Sequence, residues 1–293
     1  MLALRLWSVR HARGLGRAYT GLSKVAPLLA PLARLVGMGR TEALLIPVER
    51  LAKSTLFDCR MCGQCVLSAT GMACPMNCPK EMRNGPCGGV RADGGCEVRP
   101  ELPCAWVEAG AGAKRIAGDH LAHPTPLLPA IDQRRRGASS WIQVLQGRPD
   151  PAFQPPVGQR ITPVPQQGAL EAACNSGRLV VTVEVAPPDS PRPDALLARA
   201  GLFAGRVDAI NITDGAGGNC HMSSVAASAI LAAHGHVPVY QIACRDRNRI
   251  AIQGDMLGAA ALGVKNILCL TGDDVSQGDH PQAKPVFDLD AVS

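Results

Sequence analysis

Cysteines are the residues whose spacing in this chain most clearly implies chemistry. Eight of the 12 cysteines lie within one short region, and the first three follow one another as C-x2-C-x2-C. Thiols crowded around one turn suit coordination of a shared metal ion or cluster, and they suit a disulfide framework poorly. The predicted metal ligands are Cys59, Cys62, Cys65, Cys74, Cys78, Cys87, Cys96 and Cys104.

The identity of the metal stays open at this stage. Thiolates bind zinc in closed tetrahedral sites, and they also hold iron–sulfur clusters. A tight triplet followed by Cys-Pro pairs, as at Cys74-Pro75 and Cys78-Pro79, favours [4Fe–4S] clusters over zinc. Eight thiols suffice for two four-cysteine sites, and one site of each kind is a further option. The plainer alternative is a structural zinc knuckle that holds a small lid.

The chain divides into four stretches of different composition, one of which contains the clustered cysteines. The first is predicted to be helical, with breaks at Pro27, Pro31 and Pro47. The cysteine region has few large apolar groups, so we expect a metal to hold it together. The predicted organisation is an N-terminal helical segment (1–55), a cysteine-rich metal or iron–sulfur domain (56–148), a proline-rich linker (149–167) and a C-terminal domain (168–293).

The N-terminal segment is basic, because seven Arg and Lys residues precede the first acidic residue, Glu42. Such a segment is typical of a transit peptide or a membrane-surface helix. We favour an amphipathic helical hairpin packed on the rest of the protein, since the longest apolar run contains two prolines. No run approaches the ~20 apolar residues of a membrane span. The basic residues are Arg5, Arg10, Arg13, Arg17, Lys24, Arg34 and Arg40.

Composition also limits the classes of function. Only 3% of the residues are aromatic, which argues against base or sugar stacking as the main chemistry. A net charge of +6 raises the possibility of a nucleic-acid-binding zinc protein, but the cysteine region shows no recognition helix. Many cysteines without a convincing signal peptide indicate a reducing compartment, and we expect the cytoplasm.

The last stretch repeats one pattern four times, an apolar run followed by a polar or glycine-bearing end. Helical patterns lie between these runs, at 194–203, 223–234 and 250–262. This alternation predicts parallel βα units whose strands are buried on both faces and whose functional groups gather at the carboxyl ends of the strands. Four units make half a barrel or a small open sheet. The runs are LVVTVEVAPP, VDAINITDGAGG, VPVYQIACRDRNR and VKNILCLTGDD.

Both ends of the chain resemble one known family. The segment CRMCGQCVLSATGMACPMNCPKEMRNGPCGG resembles the cysteine-rich domain associated with methylenetetrahydrofolate reductases, a fused extension or a small partner subunit, over residues 45–148. Residues 168–293, with VTVEVAPP and LCLTGDD, are similar to the first half of the FAD-binding reductase barrel. The resemblance implies an α/β fold: an incomplete (β/α)8 TIM barrel of about four βα units, preceded by a metal-held, loop-rich cysteine domain with N-terminal helices.

The resemblance also implies the roles of particular residues. Glu184 matches the general acid for the folate, and its place between Val183 and Val185 leads us to expect burial that raises its pKa. Asp273 matches a residue that contacts the flavin ring and reaches the pterin. Their structural alternatives are a buried salt bridge for Glu184 and a turn or helix cap for Asp273. The implied catalytic residues are Glu184 and Asp273, and the implied cofactor contacts are Thr213, Asp214, Ala216, Gln241, Thr271, Gly272 and Asp273.

The implied reaction is hydride transfer from reduced FAD to 5,10-methylenetetrahydrofolate, which gives 5-methyltetrahydrofolate. The cysteine domain would relay electrons from a redox partner protein, or NAD(P)H would supply them directly. Because the family barrel has eight strands, we expect the 293-residue chain to be a truncated form that is inactive alone. The alternative is a non-catalytic, metal-binding accessory protein that docks on a separate reductase subunit.

Overall fold

The computed structural model of the protein describes residues 2–117, 127–147 and 168–292. These residues form two compact units, an N-terminal one that contains residues 2–117 and 127–147 and a C-terminal one that contains residues 168–292. The predicted proline-rich linker, 149–167, lies outside the described residues.

Six helices build the described part of the N-terminal unit. Helix α1 packs against α4 and α5, α2 packs against α5, and α6 packs against α4. No helix in the described part of the chain is both long and apolar enough to cross a membrane. The helices are α1 (Leu2–Arg10), α2 (Ala12–Val25), α3 (Ala30–Val36), α4 (Met38–Phe57), α5 (Ala105–Ala117) and α6 (Trp141–Leu145).

The prolines of the helical segment do not all act as predicted. Pro27 and Pro31 lie in the first turns of new helical segments, so both mark breaks. Pro47 lies inside α4, which continues past it, and the prediction of a break there was wrong. A proline removes one intrahelical hydrogen bond. Glu49 and Lys53 are nevertheless buried on the following turns, so tertiary contacts hold α4 together beyond the proline.

The cysteine region shares an apolar core with the helices around it. One buried cluster joins Phe57 of α4 to Leu67, Met72 and Met76 of the cysteine region. A second cluster joins the same region to α1 and to Trp106 of α5. The expectation that the region lacks apolar groups for a core was therefore wrong. The flexible thioether side chains of methionine fill irregular gaps and supply much of this packing.

The C-terminal unit is a parallel sheet with helices, as the alternating pattern predicts. The strands pair in the order β1-β2-β3-β4, and all three pairings are parallel. The strands are β1 (Thr182–Val185), β2 (Ala209–Ile212), β3 (Pro238–Ala243) and β4 (Asn266–Leu270). The helices are α7 (Ala169–Asn175), α8 (Asp194–Gly201), α9 (Ser224–Ala233) and α10 (Arg249–Ala261).

Only the two inner strands match the predicted burial on both faces. Every residue of β3 is buried, and three of the four residues of β2 are buried. Most residues of β1 and β4 are exposed or half-buried, so the prediction was wrong for these two strands. They are the edges of the described sheet, and each has a neighbouring strand on one side only.

Candidate active site and thiol pockets

Two predicted site residues meet across the sheet. Gln241 on β3 donates a hydrogen bond from Nε2 to Oε2 of Glu184 on β1, over 3.0 Å. Tyr240 and Ile242 pack into the core with α10, and successive side chains of a strand point to opposite faces. Gln241 therefore points to the other face of the sheet, where it meets Glu184.

Glu184 is exposed, contrary to the burial that its apolar neighbours led us to expect. Val185 is buried in the core with α8 and α9, whereas the carboxylate of Glu184 points to the opposite face. Alternation along the strand thus separates the acid from the apolar residues beside it in sequence. Its hydrogen bond to Gln241 also replaces the buried salt bridge considered as the structural alternative.

The segment after β2 carries the next group of predicted contacts. Thr213 is buried, and its hydroxyl has no hydrogen-bond partner among the described residues. A buried hydroxyl without a partner is uncommon in folded proteins, and it indicates a position where a ligand or water completes the hydrogen bonding. Ala216 begins the 3-10 turn Ala216–Gly218, so its backbone lies in the loop that follows.

Asp214 is engaged in holding two strands together. Its Oδ2 accepts hydrogen bonds from the backbone N–H of Ala243, over 2.8 Å, and from Arg247, over 2.6 Å. Its Oδ1 accepts a second bond from Arg247, over 3.2 Å. The side chain of Asp214 is buried, so this bidentate pair fixes the carboxyl end of β2 against the loop after β3. The predicted flavin contact thus has a structural partner that the sequence analysis missed, namely Arg247.

The loop after β4 is shaped by a close backbone approach. Gly272 has a φ of +98°, and a Cβ there would lie 2.8 Å from Cβ of Arg245, so this position requires glycine. Asp273 Oδ2 accepts a hydrogen bond of 2.7 Å from the backbone N–H of Gly217, which ties the β2 and β4 loops together. Thr271 Oγ1 accepts a bond from the backbone N–H of Ala291, over 3.3 Å. Asp273 is thus a link between loops, and no helix cap is involved.

The eight clustered cysteines divide into two groups of four that follow chain order. Each group lines its own pocket. Within the described residues, no three His, Cys, Asp or Glu side chains already stand in position to hold a metal ion. The first thiol pocket contains Cys59, Cys62, Cys65 and Cys74, and the second contains Cys78, Cys87, Cys96 and Cys104.

Burial favours the protonated thiol form of Cys74 and Cys78. Burial raises the pKa of Cys74, and the nearby Cys59, Cys62 and Cys65 raise it further. Burial also raises the pKa of Cys78, to about 11, against hydrogen bonds from backbone N–H groups. A bound cation would offset the repulsion between neighbouring thiolates and displace their protons. The donor set therefore fits a thiolate-bound metal, although the side chains are not closed around one.

A lysine–glutamate pair lies beside each thiol pocket, buried in the first and with Glu97 half-buried in the second, and the sequence analysis missed both pairs. In the first pocket, Lys53 Nζ lies 2.7 Å from Glu49 Oε1, and Lys53 also contacts the thiol of Cys65. In the second, Lys80 pairs with Glu97, and the thiol of Cys87 lies 3.7 Å from Glu97 Oε1. The available signal for the first pair was the oppositely charged i, i+4 spacing of Glu49 and Lys53 in α4.

Comparisons with known protein families match both units. The family described as "Methylene-tetrahydrofolate reductase C terminal" matches residues 38–128, which contain all eight clustered cysteines. The family described as "Methylenetetrahydrofolate reductase" matches residues 169–292, which contain the whole described sheet. A comparison with curated proteins found no match. The two family matches confirm the resemblance seen in the sequence, and the chain belongs to the methylenetetrahydrofolate reductase family, whose members are oxidoreductases acting on methylenetetrahydrofolate.

Proposed function

We propose that this protein reduces 5,10-methylenetetrahydrofolate to 5-methyltetrahydrofolate at the carboxyl ends of β1 to β4, with Glu184 as the proton donor. The observation that carries the proposal is the Glu184–Gln241 pair on the face of the sheet opposite the helices. In parallel α/β folds, catalytic groups come from the ends of several strands. Here the sheet presents the carboxyl group of Glu184, and the segment after β2 carries the Thr213 hydroxyl, which has no hydrogen-bond partner among the described residues.

The residues at these strand ends fit a bound FAD. The buried hydroxyl of Thr213 has no partner among the described residues, and Gly272 lets the loop after β4 approach Arg245 closely. When bound, FAD supplies the hydride that reduces the methylene carbon. We assign its binding to Thr213, Ala216, Gln241, Thr271, Gly272 and Asp273, with Asp214 shaping the site through Arg247.

The chemistry assigned to Glu184 is proton delivery. Reduction of the methylene bridge opens a five-membered ring, and the nitrogen that leaves the carbon must gain a proton. The bond from Gln241 occupies Oε2 of Glu184, which leaves Oε1 to hold the proton and face the folate. Asp273 uses Oδ2 to bind Gly217, so its Oδ1 remains to accept a hydrogen bond from the pterin amino group. A bound folate would cover the exposed carboxyl group and exclude water from it.

For the N-terminal unit we propose two thiolate-bound centres, either [4Fe–4S] clusters or zinc. The division of eight cysteines into two four-thiol pockets supports this proposal. Iron–sulfur centres would make this unit an electron relay from a redox partner protein, with NAD(P)H as the other donor, whereas zinc would make it a docking domain. The cluster of eight cysteines that are candidate metal ligands supports a reducing compartment such as the cytoplasm.

The test uses protein purified anaerobically from its native cells through an N-terminal tag, so that any accompanying polypeptide is retained. Flavin, iron and zinc are quantified, and 5-methyltetrahydrofolate formation is measured for the wild type, Glu184→Gln and Glu171→Gln. Glu171 lies exposed on α7 and is the matched control. We expect Glu184→Gln to keep its flavin and to lose on the order of 100-fold or more in rate.

Two results would contradict the proposal. Wild-type rates in Glu184→Gln would show that another polypeptide carries the acid, and they would support the accessory function. A native preparation without flavin would exclude the flavin site.

A further inference from the structure

Helix α4 of the N-terminal unit buries two charged side chains and exposes a row of apolar ones. Its inward face buries Glu49 and Lys53, whereas Leu44, Val48 and Leu51 are exposed to 69%, 57% and 73%. These three residues have i, i+4 and i+7 spacing, so they form one continuous apolar stripe along the helix. An apolar stripe left on the outside indicates a partner that the described residues do not supply.

The segment before α4 carries three more exposed leucines, Leu28 in the 3-10 turn Ala26–Leu29 and Leu32 and Leu35 in α3. Leu28, Leu32 and Leu35 are all exposed, and Leu35 reaches 85%. The two segments are tied together, because Thr41 Oγ1 donates hydrogen bonds to the carbonyl oxygens of Ala33 and Gly37. We call the combined surface the α3–α4 face, and define it by Leu28, Leu32, Leu35, Leu44, Val48 and Leu51.

The exposed charged side chains of the segment that carries the α3–α4 face, residues 2–57, have one sign. Within residues 2–57 no acidic side chain is exposed, since Glu49 is buried and Glu42 is half-buried and accepts a hydrogen bond from Ser139. Arg40 lies one turn before Leu44 on the same stripe. The exposed basic side chains of this segment are Arg10, Arg13, Arg17, Lys24, Arg34, Arg40 and Arg50.

We propose that the α3–α4 face binds the surface of an anionic membrane, with its leucines entering the headgroup boundary and its basic side chains contacting lipid phosphates. Helices with an apolar stripe and a basic polar face lie in the plane of such surfaces without crossing them. A symmetric dimer through this face would bring the same basic side chains of two copies together. Charge complementarity thus favours an anionic lipid surface over a second copy.

The test is flotation of the full chain with vesicles, which requires neither flavin nor folate. We expect binding to vesicles of phosphatidylcholine with phosphatidylglycerol, and little binding to phosphatidylcholine alone or at high salt. The triple variant Leu44→Gln/Val48→Gln/Leu51→Gln should lose most of the binding. Removal of basic side chains in Arg34→Gln/Arg40→Gln should lower the partition coefficient roughly fivefold per side chain.

The matched control is Leu202→Gln/Leu257→Gln, which changes two exposed leucines of the C-terminal unit. It should bind vesicles like the wild type. Tryptophan fluorescence and metal content verify that each variant is folded.

Failure of the wild type to bind anionic vesicles, or equal binding by the triple variant, would overturn the proposal. A dimer in solution that the triple variant abolishes would assign the face to a second copy and also overturn it. None of these results bears on folate reduction, which is measured separately on the same preparations.

Discussion

Replacement of Lys53 by methionine tests how much the ion pair beside the first thiol pocket contributes to the stability of the N-terminal unit. Lys53 Nζ contacts Glu49 Oε1 at 2.7 Å and Ser140 Oγ at 2.6 Å, and all three side chains are buried. Methionine keeps most of the volume of lysine but removes its charge. The variant Lys53→Met therefore leaves the carboxylate of Glu49 buried without a cation.

The size of the effect follows from what remains around Glu49. Removal of one partner of a buried ion pair typically costs about 3–5 kcal/mol of stability. Glu49 would keep four donors, which are the hydroxyls of Ser139 and Ser140 and the backbone N–H groups of Ser140 and Trp141. We therefore expect a loss near the lower limit, about 3 kcal/mol. At about 1–3 kcal/mol per molar urea, the unfolding midpoint should fall by about 1–3 M.

Urea unfolding followed by tryptophan fluorescence measures this change selectively. The chain has three tryptophans, Trp7, Trp106 and Trp141, and all lie in the N-terminal unit. Trp141 is also a local probe, because Lys53 Nζ lies 5.7 Å from the centre of its ring. Metal content is measured on each preparation, so that variants are compared at equal loading.

Two further variants make the result interpretable. The double variant Glu49→Gln/Lys53→Met should recover much of the lost stability, because no unpaired charge remains buried. In the control Arg99→Ala, an exposed ion pair with Glu101 is lost and the midpoint should not change. A drop below about 1 kcal/mol in Lys53→Met, or no recovery in the double variant, would refute the reasoning.

Burial acts to raise the pKa of Glu49, but the charge of Lys53 and the serine hydroxyls outweigh it and leave this pKa below its ordinary value. Glu49 therefore stabilises the fold above pH 4.5, and this stabilisation is lost as the pH falls through the lower pKa of the folded state. In Glu49→Gln, the free energy of unfolding measured by tryptophan fluorescence should fall less steeply as the pH is lowered. Removal of metal by a chelator should lower the urea midpoint detected by tryptophan fluorescence, which reports on the N-terminal unit, while the part of the far-UV circular dichroism signal that comes from the C-terminal unit persists. Loss of the whole far-UV signal together with the fluorescence change would contradict independent unfolding of the two units. Gly272→Ala should destabilise the C-terminal unit by about 1–3 kcal/mol, because its φ is +98° and its Cβ would approach Arg245; unchanged hydrogen-exchange protection in β3 and β4 would refute this.

The sheet was predictable because its signals are local. Each strand is a short apolar run that ends in a polar or glycine-bearing segment, and the described sheet has the predicted parallel units. The three helices between the strands also lie where periodicity places them, as α8, α9 and α10 show. Burial of β1 and β4 was mispredicted because apolar composition does not reveal which strands lie at an edge.

The contacts within the candidate site were less predictable, because they join residues far apart in sequence. The motif LTGDD gives no sign that Asp273 binds the backbone of Gly217. Likewise, DGAGG does not show that Asp214 faces Arg247. The run of basic residues after β3 was visible in the sequence, but its partner depends on how two loops meet. The contact of Lys53 with the first thiol pocket was likewise not predictable, because it depends on how α4 packs in the folded unit.

The connection between the two thiol pockets bears on their role. Cys74 of the first pocket and Cys78 of the second flank the short 3-10 helix Pro75–Asn77, whose residues are all buried. At about 2.0 Å rise per residue, the two cysteines lie roughly 8 Å apart along this helix. Asn77 Nδ2 donates a hydrogen bond of 2.9 Å to the carbonyl oxygen of Phe57, which anchors the helix to the end of α4. One rigid element therefore sets both pockets side by side. The proposed electron relay requires such neighbouring centres at a fixed separation.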